Sequence, residues 1–313
     1  MTQAGFWNWG RPTSTDAPAT RGTLSRRAFL RTVGGAASAS LIGCTSKFGL
    51  RKCELASDLP HTDLVAYLNR NIDQINAWRC MNVSIKPHGW MGLAPTLSAS
   101  IAVERPRNFR LIATIPTGNV ADLGSNDERF WFWMRDDKEP MLLTARHERL
   151  AVAQRQLAMP FEPDWLIEAL GVIPIDENEI EFEKHPTDPK RVFFRRKRQA
   201  PDGSRVELVS TVDTCSGVIV DHSLTDRTGR IIALANMSEH MRDGKTGPVL
   251  PHQVELAWPQ AKMGLRLVMG AIEMNPEALS AKQFEMPEIA DCPVHDIGGE
   301  ETQQAGDTGR AKV

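Results

Sequence analysis

The spacing of apolar residues changes along this chain, and each spacing predicts a different element. Leu64, Val65, Leu68, Ile72, Ile75 and Trp78 recur every three or four positions, with Thr62 and Asp63 ahead of them as a cap. That rhythm lines one side of an amphipathic helix, which must lay its stripe against something. From Met81 the period falls to two. Strands are expected at Met81 to Lys86, Leu97 to Glu104, Phe109 to Ile115, Arg129 to Met134 and Met141 to His147. They resume at Glu179 to Lys184, Arg191 to Lys197, Arg205 to Thr211, Gly217 to Leu224, Ile231 to Asn236, Gln253 to Trp258 and Gly264 to Ala271. Turn signals separate them, among them Arg105-Pro106-Arg107-Asn108, Pro201-Asp202-Gly203-Ser204 and Asp226-Arg227-Thr228-Gly229. A second, short helix fits Pro163 to Leu170, closed by Gly171.

Many strands joined by turns, with few helices, predict a mainly β protein built on an antiparallel meander. A meander of this length must curl into a sandwich or barrel. Phe130-Trp131-Phe132-Trp133-Met134 is apolar on both faces, so this strand should be central and covered on both sides, the inner one by a helix. After Asn275 the pattern fades, and residues 290–313 are expected to form a disordered tail.

The N-terminus carries a different signal. Ser25-Arg26-Arg27-Ala28-Phe29-Leu30-Arg31 sets two arginines before the apolar pair Phe29 and Leu30, which is the twin-arginine export pattern. Thr32 to Gly43 is uncharged and too short to span a bilayer, as a signal-peptide core should be. It closes on Leu41-Ile42-Gly43-Cys44, which resembles a bacterial lipobox whose cysteine receives diacylglycerol and becomes the first mature residue. The alternative is an amphipathic N-terminal helix with an incidental Arg-Arg pair, but the three features stand in the order and spacing that export requires. The expected plan is therefore a leader over 1–43, a tether over 44–60, one domain over 61–289 and the tail. A lipid on Cys44 would hold the domain in the cell envelope facing the periplasm, with the outer membrane favoured because Thr45, not aspartate, follows the cysteine.

Composition narrows the chemistry. A net charge of −2 argues against a general nucleic-acid binder. With Cys44 assigned to lipid, Cys53, Cys80, Cys215 and Cys292 remain, and an oxidising compartment permits disulfides without disclosing their pairing. None of the eight histidines has metal-ligand spacing, and no nucleophile elbow or phosphate loop is present. His147-Glu148 and Asp221-His222 are adjacent pairs, and neighbours on a strand point to opposite faces, which removes them as dyads. The chain reads as a non-enzyme without a cofactor.

Two sets of residues are left as candidate sites. Ile101 and Val103, Phe109 and Leu111, Phe130 and Phe132, Ile231 and Ala233, and Leu265 and Leu267 would line an apolar face, serving as packed core or as a ligand cavity. Arg191, Arg195, Arg196, Lys197 and Arg198, with Lys184, Lys190 and Arg205 nearby, flank the hairpin at Asp202-Gly203. They would form a patch for anionic head groups, or the charged edge that keeps a sheet from pairing with another.

From His61 to Asn275 the body resembles the LolA/LolB lipoprotein-carrier superfamily. The resemblance is carried by the N-terminal amphipathic helix, by Val103-Glu104-Arg105-Pro106-Arg107-Asn108-Phe109-Arg110-Leu111 and by Gly124-Ser125-Asn126-Asp127-Glu128-Arg129-Phe130-Trp131-Phe132. Thr228-Gly229-Arg230-Ile231 and Leu250-Pro251-His252-Gln253-Val254-Glu255-Leu256 resemble its late strands, and Leu265 to Asn275 its closing strand. The resemblance implies an unclosed β-barrel with helices plugging its concave face and an acyl or lipoprotein ligand within. The chain departs from it in having no exposed apolar loop tip that would match a membrane-probing loop. Two readings compete with a carrier: a non-catalytic interaction lipoprotein with a packed interior, and an exported enzyme folded around a cofactor.

Overall fold

The computed structural model describes residues 53, 55–56, 59–89, 95–135, 140–156, 162–244, 246–277 and 279–299. Helix α1 (His61–Ile72) buries Leu64, Val65, Leu68 and Ile72, the first four residues of the expected stripe. It ends earlier than the stripe. Ile75 and Trp78 are buried as the pattern required, but Trp78 belongs to strand β1 (Ala77–Gly89). The break is enforced from far away: Asn275 Oδ1 accepts the amides of Asn76 at 2.8 Å and Ala77 at 3.1 Å, and its Nδ2 donates to the Gln74 carbonyl at 2.7 Å.

The first meander continues through β2 (Leu97–Glu104), β3 (Asn108–Ile115), β4 (Gly118–Ser125), β5 (Arg129–Met134) and β6 (Met141–Arg146). Helices α2 (Leu150–Gln156) and α3 (Pro163–Ala169) follow. The second meander comprises β7 (Glu181–Lys184), β8 (Arg191–Gln199), β9 (Arg205–Asp213), β10 (Val218–Asp226), β11 (Ile231–Arg242), β12 (Val249–Trp258) and β13 (Met263–Met269). Short strands β14 (Ile272–Met274) and β15 (Val294–Asp296) complete the sheet. Strand β4 escapes the alternation rule because Gly118, Gly124 and a buried Asp122 interrupt it; Arg110 and the Trp131 indole both bond the Asp122 carboxylate, which makes its burial tolerable.

The two meanders join through the β1–β13 pair, so the strand order is β15-β6-β5-β4-β3-β2-β1-β13-β12-β11-β10-β9-β8-β7, with β14 paired to β1. Every pairing is antiparallel except that of β15 with β6. Strands β15 and β7 stand at opposite edges, so the sheet is mixed, large and not closed into a barrel. The link from β6 to β7 must travel from near one edge to the other. It does so over one face of the sheet, and this is why α2 and α3 lie there: Leu150, Ala153, Trp165, Leu166, Ile167 and Leu170 share one core with Val103, Phe109, Leu208, Leu256 and Leu267. Helix α1 covers the same face further along, against Val192, Phe194 and Val212.

The outer face is covered differently. Trp131, Trp133 and Leu142 pack under Met286, Ile289 and Cys292, so the β5 strand is buried on both sides as its composition demanded. The chain then adds β15 to the sheet edge and returns Ile297 to the inner core, which carries ordered structure beyond the domain end expected at residue 289.

Candidate functional site

The inner face is the first candidate. Ile101, Val103, Phe109, Leu111, Phe130, Ala233 and Leu267 are buried in one apolar layer beneath α2 and α3, while Phe132 is half-buried and Leu265 packs at the layer's margin. Ile231, at the start of β11, is 37% exposed; a register shift between Leu224 and Thr225 turns it away from the alternation that Ala233 follows. Trp78, Trp165 and Trp258 add large buried surface to the layer. The Trp165 and Trp258 rings meet edge to face at 6.1 Å. Among the described residues, the indole Nε1 of all three is buried with no hydrogen-bond acceptor. Each such donor costs roughly 1–3 kcal/mol in a dry interior.

Alternation divides the basic run of β8 between the two sides of the sheet. Arg195 and Lys197 point outward, where Arg195 bonds Glu183 at 2.6 Å and Glu207 at 3.1 Å, and Lys197 bonds Glu181 at 2.7 Å. Arg196 and Arg198 point inward beneath α3. There Arg196 pairs with Glu168, and Arg198 bonds Glu162 at 2.8 Å. Burial raises both glutamate carboxyls, against the pull of Arg198 on Glu162 and of Arg196 on Glu168. Beside them His222 Nδ1 lies 2.8 Å from Ser210 Oγ. Burial, with Arg196 and Arg198 adding to it, pushes the His222 imidazole down to about 3, so it is neutral. The five residues are thus not one surface patch: two of them hold α3 to the sheet. A sequence signal for this existed, since Glu162 and Glu168 bracket an apolar helix that has no other reason to carry them.

The second candidate lies on the outer face near the start of β10. An open pocket of about 930 Å³ is bounded by His185, Lys190, Arg191, the Cys53–Cys215 disulfide and residues of β9 to β11, among them the apolar Val218, Val220 and Met237. Thr211, Asp221 and Asn236 stand in one cross-strand row. Burial pushes the Asp221 carboxyl up to about 6, with Arg191 pulling it down. As alternation required, Asp221 faces this pocket while the adjacent His222 is buried beneath α3. The disulfide joins the segment before α1 to the β9–β10 turn and leaves Cys80 buried and Cys292 half-buried as free thiols.

Arg26, Arg27, Phe29, Leu30 and Cys44 lie outside the described residues, as do residues 300–313. Among the described residues no helix is long and apolar enough to cross a membrane, and no cluster of potential metal ligands occurs.

No protein-family model and no curated protein matches the chain. Among solved structures, it is similar to a domain from Vibrio parahaemolyticus described as an outer membrane lipoprotein-sorting protein: TM-score 0.47 and 9% identity over 72% of this chain and 97% of that one. A DUF1329 family protein from Desulfovibrio piger is similar with TM-score 0.47 and 12% identity, over 71% of this chain and 95% of that one. A LolA superfamily protein from Nitrosomonas europaea is similar with TM-score 0.43 and 12% identity, over 71% and 97%. At these scores the likenesses identify neither ligand nor partner.

Proposed function

We propose that the protein is a lipoprotein, anchored through Cys44 in the cell envelope, that takes an acyl-bearing ligand between α2–α3 and the inner face of its open sheet. The observation that carries this reading is the set of buried indole donors. Hydrocarbon packing would leave the Nε1 groups of Trp78, Trp165 and Trp258 unbonded at a cost each. An ester or acid carbonyl at the head of an acyl chain supplies the missing acceptor, and its chain suits the surrounding Val, Leu, Ile and Phe side chains. The reading needs no catalytic group. Trafficking of lipid or lipoprotein within the envelope is the role that fits it.

Entry requires α3 to move off the sheet. The Arg196–Glu168 and Arg198–Glu162 pairs hold it down, and this clamp favours a second reading, a non-catalytic interaction lipoprotein whose interior stays packed. Native mass spectrometry of protein extracted from its own membranes separates the two. The carrier reading expects a co-purifying lipid released by mild solvent and uptake of a fluorescent fatty acid by the delipidated protein. Protein that carries no lipid and takes up none, but cross-links to a protein partner, selects the second reading. Anchoring is tested separately by Cys44→Ala and fractionation: a variant still wholly in the membrane fraction sinks that part.

A further inference from the structure

We infer that the outer-face pocket on β9 to β11 is a second binding site, for a ligand that joins an ammonium group to a phosphoryl group, as ethanolamine phosphate does. The site centres on Asp221. Its carboxylate is half-buried on the pocket wall and makes no hydrogen bond or ion pair among the described residues, while Thr211 and Asn236 stand on either side of it in the same row. A carboxylate flanked by a hydroxyl and an amide in a space of about 930 Å³ suits a small cation that can donate several hydrogen bonds. Burial already holds its proton affinity high, and a bound ammonium would relieve that cost. The other charged and titratable groups around it are Arg191, Lys190, Asp213, His185 and His240.

Most of these leave the wall to Asp221. Asp213 is engaged by the amides of Cys215 and Ser216, and His185 Nδ1 accepts from the amides of Thr187 and Asp188. His240 Nε2 contacts the Ile219 carbonyl at 3.0 Å, and burial pushes it down to about 4, so it is neutral. Lys190 and Arg191 form the cationic rim. Lys190 has no ion pair among the described residues, and Arg191 meets only Asp188 at 3.3 Å, an exposed pair worth little. The pocket therefore offers a carboxylate to a cation and, at its rim, two cations to an anion, a pairing that suits a zwitterion and not a simple phosphate.

The position of the pocket indicates where such a group would be met, and this step alone rests on the anchoring proposed above. Cys53 on the pocket margin follows Cys44 by nine positions, a reach of at most about 30 Å for an extended chain. A lipid on Cys44 would hold the site near a bilayer, where the zwitterion is a phospholipid head group; a soluble ester of the same chemistry is the other source.

Titration calorimetry of the full-length protein with glycerophosphoethanolamine, glycerophosphocholine and glycerol phosphate tests the site without involving the anchor. The wild type should bind the first at least tenfold more tightly than the other two. Asp221→Asn, nearly isosteric and checked for an unchanged melting temperature, should erase that preference while keeping the weak phosphate affinity. Lys190→Ala combined with Arg191→Ala should weaken all three. Equal binding of all three by the wild type, or an unchanged preference in Asp221→Asn, overturns the proposal; Thr211→Val, which keeps the carboxylate, should give an intermediate loss. Flotation of full-length Cys44→Ala with vesicles of phosphatidylcholine, with and without phosphatidylethanolamine, assigns the source. Asp221-dependent retention on the ethanolamine vesicles alone supports a lipid head group, and no retention beside tight binding of the soluble ester supports the soluble one.

Discussion

Arg198 Nη2 on β8 donates to Glu162 Oε2 at 2.8 Å, directly ahead of α3, and so ties the first turn of that helix to the inner face of the sheet. Both side chains are largely buried. A pair of this kind contributes little compared with apolar packing, but breaking it leaves a charge stranded in a dry site.

Arg198→Met should therefore cost roughly 3 kcal/mol in urea unfolding, because Glu162 keeps its burial and loses its cation. The double variant Arg198→Met with Glu162→Met should recover most of the loss. Equal losses in single and double variants would show that the pair does not hold α3.

Gly124→Ala probes the outer face. Gly124 stands opposite Trp131, and a methyl group on it would overlap the indole ring. The ring cannot swing aside without giving up its 2.9 Å bond to Asp122. The expected cost is about 2 kcal/mol of overpacking, read as a lowered urea midpoint at constant slope.

Reduction of the Cys53–Cys215 disulfide releases the segment before α1 from the β9–β10 turn. The bond closes a chain span of 162 residues, so the oxidised unfolded state is strongly restricted. Cys53→Ser with Cys215→Ser should lower stability by about 2–4 kcal/mol. Thiol alkylation with and without reductant should count two protected cysteines in the wild type.

Acidification should destabilise the domain before its carboxylates are all protonated. His222 and His240 sit at about 3 and about 4, below the ordinary 6.5, because burial disfavours the cation. The unfolded chain binds these protons more readily, so their contribution is full above about 6.5 and is lost as pH falls through 4 and 3. Asp221, raised to about 6, has the opposite sign: its contribution is present below 3.8 and lost as pH rises through 6. Glu162 and Glu168, which burial also raises, share the sign of Asp221, so the imidazole contribution is read on His222 itself. Thermal melts from pH 8 to 4 should fall, and His222→Asn should flatten the decline.

How far the fold was legible in the chain follows from the range of the interactions involved. Alternation at Phe109, Leu111 and Ala113, or at Leu256 and Leu267, is a local pattern that a pleated strand turns directly into one buried face, so the strands and the inward residues could be read. Strand β4 could not, since its Asp122 is acceptable only beside Arg110 and Trp131, which other strands supply. Helix α2 gave no signal either, because seven residues with Gln and Arg among them offer too short a period. The covering of Trp131 and Trp133 was required by their composition, but the expectation of a disordered end at residue 290 missed that the chain before β15 supplies part of it.

The sequence by itself determined the fold class of the protein: period-two segments too numerous for a flat sheet and too poor in helix for crossovers. Tertiary structure alone decided which edges stay unpaired, where the helical link crosses, and which charges meet. Asn275 stops α1 from nearly two hundred residues away, and Arg196 and Arg198 face inward only because β8 fixes their parity beneath α3. The physical reason is that propensity and alternation act over a few residues, whereas the cost of burying a charge or an indole N–H is set by whatever the fold brings against it.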